Sequence, residues 1–127
     1  MQNNQELEVV YLIDQKTKAH TDRTCYDSDE YWGWVYLTVE RAQQDIDAEV
    51  ECMLNFDPCD PENHDPANPP SITESERDAW RCRFPADAQD GNKRTTVRHW
   101  LDTDGGIFKA DSVFEIVPFP AKDGKIC

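Results

Sequence analysis

Residues 55–70 read NFDPCDPENHDPANPP and set a thiol, an imidazole and four carboxylates among prolines. Sulfur and nitrogen ligands in one short segment suggest zinc, with Cys52, Cys59 and His64 as three ligands and Cys25 or Cys82 as a fourth. The spacing weighs against it. Structural zinc knuckles hold ligands in pairs two to four residues apart, so that one turn aims both at the ion. Cys52 and Cys59 have six residues between them, and Cys59 with His64 makes only half a site. Reduced, unpaired thiols are the plainer reading, and a small zinc-binding interaction module is kept as an alternative.

Calcium needs carboxylates on alternate residues, a glycine at the bend and a distal bidentate Glu. Asp57, Asp60, Glu62 and Asp65 are rich in oxygen, but Pro58, Pro61 and Pro66 stand where such a loop must curl. The run Asp102-Thr103-Asp104-Gly105 begins in the same way and meets Val113 where the Glu belongs. A tight turn explains it better.

Catalysis is expected to be absent. The three histidines, His20, His64 and His99, lie outside any recognisable nucleophile context, and there is no phosphate-binding or dinucleotide fingerprint. His99 alternates with Val97 and Leu101, which reads as a satisfied histidine on a strand face. No cofactor is expected.

The charge is the stronger signal. Net charge is −13, and residues 22–78 hold 16 acids against Arg23, Arg41 and Arg77, while the other 70 residues hold ten of each sign. Direct binding to nucleic acid or to an anionic membrane needs clustered cations and is therefore disfavoured. A basic partner protein is favoured. The beginning, MQNNQELEVV, lacks a positively charged leader, and no run approaches the roughly 18 apolar residues of a membrane span. Five cysteines, an odd number at irregular spacing, do not form a secreted disulfide framework. A cytoplasmic protein is expected.

The elements that must carry these charges follow from periodicity. Val39, Ala42, Ile46, Val50, Met53 and Leu54 recur at helical spacing, with Thr38 as N-cap and Asp57-Pro58 ending the helix near Asn55. Residues 7–13, 31–37, 95–101 and 113–117 read as strands, and Trp80, Cys82 and Phe84 alternate like a half-buried one. Residues 15–24 read as a polar loop, Asp90-Gly91 and the TDGG run as turns, and 71–80 as a short helix with a capping box at Ser71/Glu74 or Thr73/Glu76. The expected fold is α+β: a single domain over 1–127, one main helix on an antiparallel β-sheet of about four strands, with a long acidic Pro-rich loop. Segment 22–78 carries the acidic helix and loop; segments 1–21 and 79–127 supply the neutral sheet.

On that helix Glu40, Gln44, Asp47 and Glu51 lie off the apolar stripe, with Asp45 and Glu49 beside them. Neighbouring positions on a helix lie ~5–6 Å apart, close to the spacing of phosphates along a strand. Together with Asp57, Asp60, Glu62 and Asp65 on the proline-stiffened loop, they form a candidate partner-binding surface. The strand-to-helix join VYLTVERAQQDI at 35–46, the small size, the acidity and the lack of catalytic motifs resemble small phage-encoded inhibitors of the anti-CRISPR and anti-restriction type. That resemblance is to a class and transfers no residue roles. It implies an acidic nucleic-acid mimic that docks on a basic, nucleic-acid-binding host protein and competes with DNA or RNA.

A second expectation is an immunity protein that neutralises a basic toxin such as a nuclease. It would add aromatic anchors, for which Tyr26, Tyr31, Trp32 and Trp34 are candidates, against core packing as their ordinary role. A homodimer through outward-facing Arg81, Arg83 and Arg98 is a third, against pairing of those arginines with acids of the same chain.

Overall fold

The apolar stripe that begins at Val39 forms α1 (Val39–Asn55) in the computed structural model, which describes residues 9–20, 26–63, 67, 71–89, 91–103 and 106–120. The Thr38 hydroxyl accepts the Arg41 N–H at 3.1 Å, and Glu40 lies in the first turn, where the helix dipole favours an anion. The chain leaves the helix at Phe56 in an extended conformation, just ahead of Asp57-Pro58. Ala42, Ile46 and Val50 face inward and are buried.

Beneath α1 lies one antiparallel sheet built from β1 (Val9–His20), β2 (Tyr26–Tyr31), β3 (Cys82–Arg83), β4 (Asp87–Gln89), β5 (Asn92–Thr103) and β6 (Gly106–Pro120). The order is β2-β1-β6-β5-β3, with β4 also paired to β5. The α+β class with one main helix holds; six strands replace the expected four or so. The first and last strands lie side by side in the middle, paired from Val9↔Pro120 to His20↔Lys109. A short α2 (Glu74–Ala79) precedes β3, and its capping box is Thr73/Glu76, not Ser71/Glu74.

Two segments differ from expectation. The expected polar loop after Ile13 is the second half of β1, where Thr17 and Ala19 are buried and Lys16, Lys18 and His20 are exposed. The alternation is complete, but its inward residues are small and carry little apolar signal. Conversely, the run from Trp32 to Leu37 is a loop, held to β1 by one bridge in which Tyr11 and Tyr36 exchange N–H···O bonds of 2.8 and 2.9 Å. The strand is instead YDSDEY, at the sheet's edge, where polar and charged residues are well tolerated.

Along the outer edge of β5, β3 and β4 run end to end, but their registers disagree by one residue. Phe84, Pro85 and Ala86 stand opposite Thr95 and Thr96 alone, a bulge centred on the proline, which has no N–H to give the ladder. The expected Trp80–Cys82–Phe84 strand is therefore cut to Cys82 and Arg83. Of the turn expected at Asp90-Gly91, Asp90 lies outside the described residues; Gln89 pairs with Asn92, and Gly91 has φ +83°, open to glycine at no steric cost.

The core lies between α1 and the sheet, where Ile46, Ala42 and Val50 meet Ile13, Val97, Phe114 and Ile116. Trp32 closes it from the loop, edge-on to Phe114 at 5.9 Å and donating its indole N–H to Gln15 at 2.9 Å. Farther along the same sheet face the side chains become polar. Thr17 and Ser112 hydroxyls lie 2.7 Å apart, and His99 Nε2 lies 2.8 Å from Ser112 Oγ, all buried. Each group satisfies another, as burial requires.

Candidate functional site

At 100° per residue, the anions of α1 fall on two flanks. One holds Glu40, Asp47 and Glu51 and leans toward β3; the other holds Asp45 and Glu49 and faces the loop that carries Tyr36. Several are already used within the chain. Asp47 receives Arg83 at 2.8 Å and the Gln43 amide at 2.8 Å. Partial burial raises its pKa, but those two donors outweigh it and hold the carboxyl below the ordinary value. Asp45 accepts the Tyr36 hydroxyl at 2.7 Å and has Arg41 at 3.7 Å. Burial, and then this bond, push the Tyr36 phenol up to about 12.

The loop acids are spent on shape. Asp57 accepts the Cys59 N–H at 2.9 Å, which most strongly lowers its pKa, and pairs with Arg77 at 3.2 Å. Asp60 accepts the Glu62 N–H at 3.0 Å, bracing the short 3-10 turn Pro61–Asn63, and Asn63 returns a bond to the Asp57 carbonyl at 2.8 Å. Such carboxylate-to-backbone bonds fold a loop locally and fix where its charges point.

Of the nine acids expected to meet a partner, Glu40, Glu49, Glu51 and Glu62 are exposed and form no ion pair among the described residues. Asp65 and much of the proline-rich loop lie outside those residues. The arginines have the opposite disposition. Arg41, Arg77, Arg81, Arg83, Arg94 and Arg98 each pair with an acid of the chain. For Arg81, Arg83 and Arg98 this is the internal pairing weighed against a basic dimer face.

The metal candidates do not converge. Cys52 is exposed on α1, whereas the Cys59 thiol donates to the Ile72 carbonyl at 3.4 Å; His64 and Cys25 lie outside the described residues. Among the described residues no three His, Cys, Asp or Glu side chains are grouped to hold an ion.

Two further features bear on the site. Of the candidate aromatic anchors, Trp34 and Tyr31 are exposed, and Leu37 and Val35, expected in a strand, are exposed with them in the loop before α1, Trp34 by 70% and Leu37 by 73%. Trp34 borders two clefts. One, of about 600 Å³, is lined with Leu37, Arg41 and Asp45, and the other, of about 290 Å³, with Asp45, Glu49 and Cys52. The other feature is on the sheet face opposite α1, where Asp14 is buried with one carboxylate oxygen unpartnered among the described residues. Burial, and then neighbouring Asp29, raise its pKa to about 6.

No helix among the described residues is long and apolar enough to cross a membrane. No protein-family model, curated protein or solved structure matches the chain.

Proposed function

We propose that this chain is an acidic inhibitory binding protein, which docks α1 on a basic, nucleic-acid-binding protein and competes there with DNA or RNA, in the manner of phage anti-defence inhibitors. The observation that carries the reading is the separation of spent from unspent charge. The described arginines are consumed inside the fold, while Glu40, Glu49 and Glu51 stand exposed along the helix with no ion pair among the described residues. Like charges at i,i+4, such as Asp45 with Glu49, cost an isolated helix about 0.2–0.5 kcal/mol each. A groove lined with Lys and Arg would relieve that repulsion on binding. Electrostatic steering would make association fast and salt-sensitive.

Affinity purification across a salt series tests it. Captured partners should be basic, release nucleic acid on binding, and be lost as salt rises or when Glu40, Glu49 and Glu51 are together replaced by Lys. Capture unchanged by salt and by the triple reversal would sink the proposal. Exposed Trp34 and Leu37 favour a second reading, a cognate immunity protein with an aromatic anchor inside a charged rim. Tight, single-partner capture of a basic toxin would select it.

A further inference from the structure

The loop before α1 does something that the charge alone does not explain. Trp34 stands 70% exposed although its neighbour Trp32 is packed against the core, and the two clefts on either side of Trp34 share Tyr36 and Asp45 as walls. Their other wall is one stripe of α1, Arg41, Asp45, Glu49 and Cys52, at spacings of four, four and three. The eleven helical rises from Arg41 to Cys52 make this groove ~16 Å long.

The groove carries opposite charges toward its two ends. At the Leu37 end Arg41 lies against the first cleft, while at the Cys52 end Glu49 lines the second and has no ion pair among the described residues. Asp45, between them, is held in place by the Tyr36 hydroxyl at 2.7 Å. Its Arg41 contact is loose, at 3.7 Å and through Nε alone. An indole face beside two carboxylates one helical turn apart is complementary to a flat cation with several N–H donors.

We infer that the groove takes an arginine side chain of the partner, its guanidinium stacked on Trp34 and bonded by Asp45 and Glu49, with a neighbouring apolar residue against Leu37 and Val35. This rests on the docking reading above and deepens it from a charged surface to a side-chain-specific socket. Lysine fits less well, because an ammonium lacks the planar fork. Arg41 sets the direction in which the partner segment lies.

The test uses the full chain with labelled octa-arginine and octa-lysine peptides at low and high salt. Octa-arginine should bind about three- to fivefold tighter than octa-lysine, the range expected of an exposed cation–π contact. Trp34→Leu, which keeps apolar bulk and removes the π face, should erase that preference and leave salt-sensitive octa-lysine binding intact. Equal binding of the two peptides, or a preference that survives Trp34→Leu, overturns the socket while leaving the docking surface standing. Arginine preference that persists at high salt and in the Glu40/Glu51 charge reversal sustains the socket and overturns the extended surface. Absence of binding by either peptide overturns both. A concentration-dependent dimer that Trp34→Leu dissociates assigns the groove to a second copy and likewise overturns the socket.

Discussion

Arg83 Nη2 lies 2.8 Å from Asp47 Oδ1, so an acid at the centre of the expected binding strip is instead a strut between α1 and the edge strand β3. The pair is partly exposed, and such pairs contribute about 0.2–1 kcal/mol.

Charge reversal should therefore sort the helix acids into two classes. Asp47→Lys places two cations together and is expected to lower stability by ~1 kcal/mol in urea unfolding, an effect that Arg83→Glu in the same chain partly restores. Glu49→Lys and Glu51→Lys, nearer the C-terminal end of α1, are expected to change stability by about +0.3 to +1 kcal/mol, because a cation there suits the dipole and relieves repulsion. If Asp47→Lys is as stable as Glu51→Lys, the strut assignment is wrong.

Phe114 is fully buried in β6 beneath α1, whereas Trp34 is mostly in solvent. Phe114→Ala should cost about 3–5 kcal/mol of unfolding free energy. Trp34→Leu should stay within roughly 0.5 kcal/mol, as surface changes do. A large loss at Trp34 would mean that its ring belongs to the fold.

Asp14 should make the protein less stable as pH rises. Its pKa is raised from 3.8 to about 6, chiefly by burial. Stability from the protonated form is complete below 3.8 and disappears as pH climbs through about 6. Asp14→Asn is therefore expected to be more stable than the parent at pH 8, by ~1–3 kcal/mol, with no advantage at pH 4. Equal urea midpoints at pH 8 would refute this.

His99 should act in the opposite direction. Burial lowers its pKa from 6.5, against smaller raising effects of the Trp100 backbone and Asp111. Its contribution is complete above 6.5 and fades as pH falls through that value, because the unfolded chain takes up the proton first. His99→Gln should flatten the acid side of the stability profile in thermal melts. Near pH 6 the two groups oppose, so the parent profile should be flatter there than that of either single variant.

The helix and the strand cores were legible because large apolar residues marked them with a clean period. The second half of β1 was not, since Thr17 and Ala19 are buried without being large. The run YWGWVYL misled in the other sense: aromatic mass suggested a buried strand, yet only Trp32 and Tyr36 turn inward. Its missing polar alternation and internal glycine were the available signal for a loop. On α1, spacing gave each acid's flank but not its partner, because Arg83 arrives from 36 residues away in sequence. The Asp14 environment depends on β2 and β6 lying on either side of β1, which no local pattern encodes.

The pairing of β1 with β6 has a further consequence for how this molecule comes into being. Its central ladder joins residues 9–20 to residues 109–120, so β1 has only the short edge strand β2 to pair with until β6 has been synthesised. Folding on the ribosome must wait, and the rate should be low for so short a chain because the contacts that matter close long loops. During that wait α1 lacks β5 and β6, whose Val97, Phe114 and Ile116 complete its bed. The density of negative charge on the chain then has a use of its own, keeping unfinished chains apart until the sheet can close.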